Sequence, residues 1–306
     1  MIKVFGHQSP DTDATGSAII WAWYLNEHTT NDATPYVLGE LNTEAAFVLS
    51  RWGVETPPLL ESVGAEDRVT IVDTNNPQEL FDTINEAQIE EIIDHHKLVG
   101  GIETPGPITI TIRPLASTAS VIYTLMGDVT EKLPDYIAGI MLSCILSDTL
   151  EFRSPTTTPQ DKDIAEKLAA QLGIDIPVYA AEMFAAKSDV SSFSDIGLIK
   201  MDSKKFALSD YNLRVSVIET TTPQTILDRQ VGIVEAIGAC IESESDVDDV
   251  LFFIVDILNE ESTVLTYNEL TKNIIAKSFG VTCDTETEVL PGVVSRKKQI
   301  LPSLKI

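Results

Sequence analysis

Short, almost wholly apolar runs punctuate the first part of the chain, and each ends in turn-forming, acidic or imidazole residues. Residues 2–6 read as a strand, and 15–28 (TGSAIIWAWYLNEH) as a mostly buried helix after it. A second strand is predicted over 34–39 (TPYVLG), then a helix over 42–53 that Gly53 stops. Runs 68–73 (RVTIVD) and 89–96 (IEEIIDHH) are long enough for buried strands. Strands alternating with helices imply an α/β fold with a doubly wound, mainly parallel sheet and flanking helices. After 110–115 (ITIRPL), the segment 117–172 reads as predominantly helical, and 176–187 as the last helix of a first domain.

The pattern then changes. Residues 188–195 (SDVSSFSD) are small and polar, which marks a flexible linker. Beyond it, 205–219 reads as a hairpin, 222–242 as a helix, 249–258 and 262–267 as strands, and 268–279 as a helix. That is a smaller mixed α/β domain. The expected division is a catalytic domain over 1–187, the linker over 188–195 and a substrate-binding domain over 196–306.

Composition and charge narrow the field. A chain of 306 residues, 43% of them hydrophobic, is large enough for two packed cores. No apolar stretch is long enough to span a bilayer, and the N-terminus lacks the pattern of a signal peptide. Three scattered cysteines, Cys144, Cys240 and Cys283, share no metal-ligand spacing and suit a reducing cytoplasm. A net charge of −26 repels nucleic acid and anionic membranes, so neither is an expected partner. It also means that an anionic substrate needs bound cations or a local basic cluster.

Candidate chemistry gathers where the strands end. GHQSPDTDA (6–14) places His7, Asp11 and Asp13 after the first strand. Asp73 ends the third, Asp94-His95-His96 the fourth, and Asp148 lies in an apolar helix within SDT (147–149). Ligands of such sheets bind outside the carboxyl ends of the strands. Each cluster has a plainer reading: Asp11, Asp13 and Asp73 as turn or capping residues. Asp148 resists it, because a buried carboxylate is costly unless paired or bound to metal. Three of the four histidines fall at these strand ends, while His28 reads as a favourable charge at a helix C-terminus. Oxygen and imidazole donors without thiolate suit Mn²⁺, Mg²⁺ or Co²⁺ better than structural zinc. The number of candidate ligands suggests two ions sharing a carboxylate, a device that serves displacement at phosphorus. Ser295-Arg296-Lys297-Lys298, the densest basic stretch, fits a phosphate-rich substrate, although a solvated tail is the plain alternative. Neighbouring residues of an extended segment point to opposite sides, so His95 and His96 are expected to differ in role.

With these residues assembled, the chain resembles the family II, manganese-dependent inorganic pyrophosphatases of the DHH phosphoesterase superfamily. GHQSPDTDA, the VD ending at Asp73, DHH (94–96), SDT (147–149) and SRKKQ (295–299) are similar to that family's successive motifs. The resemblance implies two Mn²⁺ (or Co²⁺) per subunit, His7 and Asp11 holding one, Asp13, His95 and Asp148 the other, and Asp73 bridging them. It implies that His96 contacts substrate and serves as general acid. Lys204, in MDSKKF, would grip pyrophosphate with Arg296 and Lys297 from a DHHA2-type domain, Lys205 being the neighbouring alternative to Lys204. The implied reaction is hydrolysis of pyrophosphate to two orthophosphates by a dimetal-activated hydroxide in the cleft between the domains. Additional Mg²⁺ or Mn²⁺ would arrive with substrate. A cytoplasmic homodimer associating through the N-terminal domain is also implied. Gln8-Ser9 departs from the usual Thr-Asn pair, at positions not expected to bind metal, and Asn75 is a plausible supporting group. The rival readings are an exopolyphosphatase or an oligonucleotide or cyclic-dinucleotide phosphodiesterase of the same superfamily. The phosphodiesterases typically carry a glycine-rich GGGH motif, which this chain lacks.

Overall fold

The computed structural model describes all of residues 1–306 except Ser192 and Ser245. The chain forms two compact units, Met1–Lys187 and Ser188–Ile306. Part of the segment read as a linker, at Ser192, lies outside the described residues.

The first unit is built on five strands: β1 (Ile2–Phe5), β2 (Ala33–Pro35), β3 (Arg68–Val72), β4 (Gln88–Asp94) and β5 (Thr109–Ile112). They pair in the order β2-β1-β3-β4-β5, with every pairing parallel. The order reverses between β1 and β3, and that reversal opens a crevice beyond the strands' carboxyl ends. Six helices accompany the sheet: α1 (Thr12–His28), α2 (Thr43–Trp52), α3 (Thr118–Met126), α4 (Asp135–Thr149), α5 (Pro159–Leu172) and α6 (Ile176–Lys187). α1 and α4 are apolar nearly all round because each packs among several neighbours, including one another. Phe5, Val69, Ile71, Ile89 and Ile92 form a core cluster closed by Leu60, Val63, Leu80 and Ile84, which come from irregular and 3₁₀ segments.

Some expected boundaries move, each for a local reason. α1 begins at Thr12 rather than 15, because Asp11 caps it by accepting from the Ala14 amide. β2 stops at Pro35, short of the expected 39. Pro35 has no amide to donate, and Val37 next pairs with Leu59 instead. Gly53 ends α2 in the left-handed region at φ 65°, as its position suggests.

The second unit holds a mixed five-stranded sheet, order β10-β9-β8-β7-β6. Its strands are β6 (Ser203–Leu208), β7 (Tyr211–Thr220), β8 (Asp249–Asp256), β9 (Glu261–Leu265) and β10 (Thr287–Pro291). Only β7 and β8 run parallel. β8 ends at Asp256, short of the expected 258, because its carboxylate accepts the amides of Leu258 and Asn259 and closes a turn. The helices are α7 (Asp195–Met201), α8 (Gln224–Leu227), α9 (Gln230–Ser243), α10 (Glu269–Phe279) and the short α11 (Leu301–Ser303). The single helix expected over 222–242 is therefore broken at Asp228-Arg229. There the Arg229 guanidinium donates to the Val190 and Phe193 carbonyls and the Asp195 carboxylate, which turns the chain. β10 went unread because five residues carrying Glu288 and a terminal Pro lack a strand's usual apolar run.

Candidate metal centre

The turn from β1 into α1 is tight. A Cβ on Gly6 would lie 2.7 Å from that of Ala14, so only glycine admits the first turn of α1 this close. Gly16 does the same between helices, since a Cβ there would meet Cys144 Sγ at 2.3 Å. That close approach of α1 and α4 brings Asp13, near the start of one, toward Asp148, near the end of the other.

Three sets of donor atoms result, each lying within 4.8 Å of one another: His7–Asp11–Asp73, Asp13–His95–Asp148 and Asp73–His95–His96. All six expected ligands are in the first two. Asp73 occupies the middle, its carboxylate 3.5 Å from His7 Nε2 and 3.4 Å from His95 Nε2. Its backbone is in the left-handed region at φ 60°, uncommon for aspartate, and the Thr118 hydroxyl donates to it at 2.9 Å. Asp11 serves twice: one oxygen caps α1 and the other faces His7 Nε2 at 3.5 Å. Capping residue and candidate ligand are thus the same side chain.

Asp13 is buried against the start of α3. It accepts from the Thr118 and Ala119 amides at 2.6 and 3.1 Å and from the Ser117 hydroxyl at 2.9 Å. A helix N-terminus is a natural seat for a carboxylate. Asp94, fully buried, does not join the donor sets. It accepts from the His95 and His96 amides and, at 2.9 Å, from His96 Nδ1, while Asn75 donates to its other oxygen. The DHH run therefore divides its labour: Asp94 orients, His95 turns inward, and His96 stays half exposed. Gln8 donates to the Leu80 carbonyl at 2.8 Å, pinning the loop that carries His7. Beside the donor sets is an open cavity of about 320 Å³ lined by His7, Gln8, Ser9, Gln78, Glu79 and His96.

The electrostatics are those of a cation site. Burial and the nearby Asp73 push Asp13 up to about 7, and burial with Asp13, Asp73 and Asp11 raises Asp148 well above the usual carboxylate range. Against the effect of burial, hydrogen bonds to Asp11 and Asp73 hold His7 up at about 10, and Asp73 with Asp13 holds His95 at about 9. Burial raises Asp73, but His7 and His95 outweigh it and leave this carboxyl lowered. His96 is raised chiefly by its bond to Asp94. Four carboxylates this close repel one another, and oxygen donors with two imidazoles are the chemistry that Mn²⁺ accepts. The residues present fit a divalent ion in each of the first two sets, between which Asp73 stands, in one set and 3.4 Å from His95 of the other.

The basic residues lie in the second unit. Arg296 opens a π-helical turn, Arg296–Ile300, whose start is capped by the Ser295 hydroxyl. Its guanidinium donates to the Asp202 carbonyl at 2.8 Å and pairs with the Asp202 carboxylate at 2.6 Å. It therefore sits beside the start of β6, which carries Lys204. Lys205, next in the strand, is committed to Asp246 and Glu244. Lys204 and Lys297 are exposed, and among the described residues neither has an ion pair.

Sequence reasoning missed the residues that hold the ligands from behind. Ser117 and Thr118 looked like ordinary helix-start residues, and nothing local ties them to Asp13, more than 100 positions away. Asn75, expected as a supporting group, supports Asp94 and the backbone at Lys97 and Val99.

Known proteins resemble this chain in both of its units. Residues 1–145 match the DHH family, N-terminal domain, and residues 181–305 match the DHHA2 domain. A Staphylococcus carnosus protein named as a probable manganese-dependent inorganic pyrophosphatase is 38% identical over 301 residues, covering 98% of this chain and 97% of its own. A Deinococcus radiodurans protein of the same name is 37% identical over 310 residues, covering 100% and 98%. The crystal structure of a Methanococcus jannaschii protein assigned to the family II inorganic pyrophosphatases superposes with a TM-score of 0.64 at 35% identity, covering 99% of this chain and 98% of that one. The chain belongs to the DHH family and, within it, to the manganese-dependent family II inorganic pyrophosphatases.

Proposed function

We propose that this chain hydrolyses inorganic pyrophosphate to two orthophosphates at the centre formed by the two donor sets on either side of the Asp73 carboxylate. That convergence is the observation that carries the reading: one carboxylate stands within 3.5 Å of an imidazole from each set. His7 and Asp11 would hold one Mn²⁺, Asp13, His95 and Asp148 the other, with Asp73 between them. Bound there, the ions supply neutralisation of phosphate charge and activation of water. Mg²⁺ accompanying the substrate offsets further charge.

The chain's own residues do the rest. Asp94 accepts a hydrogen bond from His96 Nδ1, which fixes the ring and leaves Nε2 of the protonated imidazole to donate toward the leaving phosphate. Ser117, Thr118 and the α3 amides hold Asp13 and Asp73 still, so that little reorganisation accompanies reaction. Lys204, Arg296 and Lys297 supply cationic contacts to pyrophosphate. The pairing of Lys205 with Glu244 and Asp246 favours Lys204 for this role. Arg296, steadied by Asp202, presents a planar fork suited to phosphate oxygens. The three free cysteines suit a cytoplasmic enzyme. A homodimer through the first unit is supported by Leu98, Val99 and Ile110, exposed at 73%, 51% and 53%. Ile110 lies on the edge strand β5, and such edges invite pairing.

The test is phosphate release by protein stripped of metal and reloaded with Mn²⁺, Co²⁺, Zn²⁺ or Mg²⁺, with tripolyphosphate and a dinucleotide alongside. Mn²⁺-restored cleavage of pyrophosphate alone is the expected result. Preference for tripolyphosphate or the dinucleotide overturns the substrate, and no cleavage with any metal overturns the reaction.

A further inference from the structure

Glu44 is a fully buried carboxylate outside the donor sets. It stands in the first turn of α2, and its Oε2 accepts from the Thr12 hydroxyl at 2.9 Å and the Ser147 hydroxyl at 2.7 Å. Lys187 Nζ approaches the same oxygen at 3.3 Å, while Oε1 has no hydrogen-bond partner among the described residues. Burying a carboxylate with one bare oxygen is unfavourable, so packing alone does not account for it.

Its partners explain its place. Thr12 lies between Asp11 and Asp13, and Ser147 immediately precedes Asp148. One oxygen thus ties the start of α1 to the end of α4, the two points that carry three of the four clustered carboxylates. A further tie reaches the end of α6, where Lys187 is the last residue of the first unit. Like-charged carboxylates push these points apart, and two hydroxyls bound to a common acceptor hold them together.

We propose that Glu44 is a positioning residue for the metal centre: through Thr12 and Ser147 it fixes the spacing of Asp13 and Asp148. This rests on the metal assignment given above. Outer partners of ligands typically contribute about 10–100-fold to metal affinity, and Glu44 belongs to that class although it touches no donor atom.

The experiment measures Mn²⁺ affinity of metal-stripped protein by calorimetry, without pyrophosphate, beside the melting temperature of the same samples. Glu44→Ala is expected to weaken Mn²⁺ binding at least about tenfold. Glu44→Gln keeps an acceptor oxygen for both hydroxyls and is expected to recover most of that loss. Thr12→Val with Ser147→Ala, leaving Glu44 in place, should reproduce the weakening. A purely structural role would lower the melting temperature and leave the affinity of the folded protein unchanged in all three, which overturns the proposal. Should Glu44→Ala fail to fold, the hydroxyl variants decide, and wild-type affinity in them overturns it. Wild-type protein that fails to bind Mn²⁺ overturns the metal assignment itself and the proposal with it.

Discussion

Two acidic regions of this molecule solve opposite problems. In the second unit, Glu244 is surrounded by cations: Lys200 at 3.1 Å, Lys205 at 3.3 Å, and Arg214 closer still. Its carboxyl is accordingly held down at about 2, by Arg214 first, with Lys200 and Lys205 helping to outweigh the opposing effect of burial. At the strand ends of the first unit, Asp11, Asp13, Asp73 and Asp148 have the imidazoles of His7, His95 and, farther off, His96 beside them, and Asp13 and Asp148 are raised rather than lowered. A carboxylate that the fold has neutralised is structural. A cluster of carboxylates that the fold leaves under-neutralised is suited to divalent cations.

The sharpest way to break the comparison is at Asp73. Asp73→Ala removes the carboxylate that stands against an imidazole of each donor set, and turnover should fall by more than the roughly hundredfold that outer partners cost, with loss of bound manganese. Asn75→Ala, which loosens Asp94 and the loop at Lys97 and Val99 but removes no donor atom, should cost about tenfold. Near-normal turnover and metal content in Asp73→Ala would refute its bridging place.

Proton linkage is the next largest effect. His7 and His95, held near 10 and 9, are protonated at neutral pH, and Asp13 near 7 is partly so. A divalent ion must displace those protons, so Mn²⁺ affinity should rise with pH from 7 toward 9, about tenfold per unit for each proton displaced. Calorimetry in buffers of different ionisation enthalpy counts the protons. No proton release at pH 7 would mean that these groups do not bind the ion.

The smallest effect belongs to the second unit. Glu244 titrates lower in the folded chain than its usual 4.5, so its pairs stabilise above that pH, and the contribution disappears as pH falls toward 2. Glu244→Gln should cost at most about 1 kcal/mol at pH 7, partly screened by salt, and nothing at pH 2. Denaturant melts at both pH values would show it. A large loss unchanged by pH would mean that Glu244 acts through packing rather than charge.

Much of this was legible before any coordinates. His7, Asp73 and His95 announce themselves because strands are short apolar runs and the residues just past them stand out. Asp148 is visible for the opposite reason, a charge inside an apolar helix. Glu44 and Ser117 were not legible, since glutamate and serine at a helix start have a sufficient local explanation in the helix dipole and the N-cap. The break in the helix expected over 222–242 escaped notice because Asp228-Arg229 has no proline or glycine to mark it. Its cause is a set of contacts with residues 190–195.

The sequence by itself determined the alternation of strands and helices, the change of pattern near 188, and the donor types with their place at strand ends, because local periodicity and residue chemistry are carried by neighbours in the chain. Only the tertiary structure decided that β1 and β3 lie side by side, that Gly16 lets α1 meet α4, and that Asp94 turns away while Asp73 faces both imidazoles. Those are relations between residues tens to more than a hundred positions apart, and packing sets them.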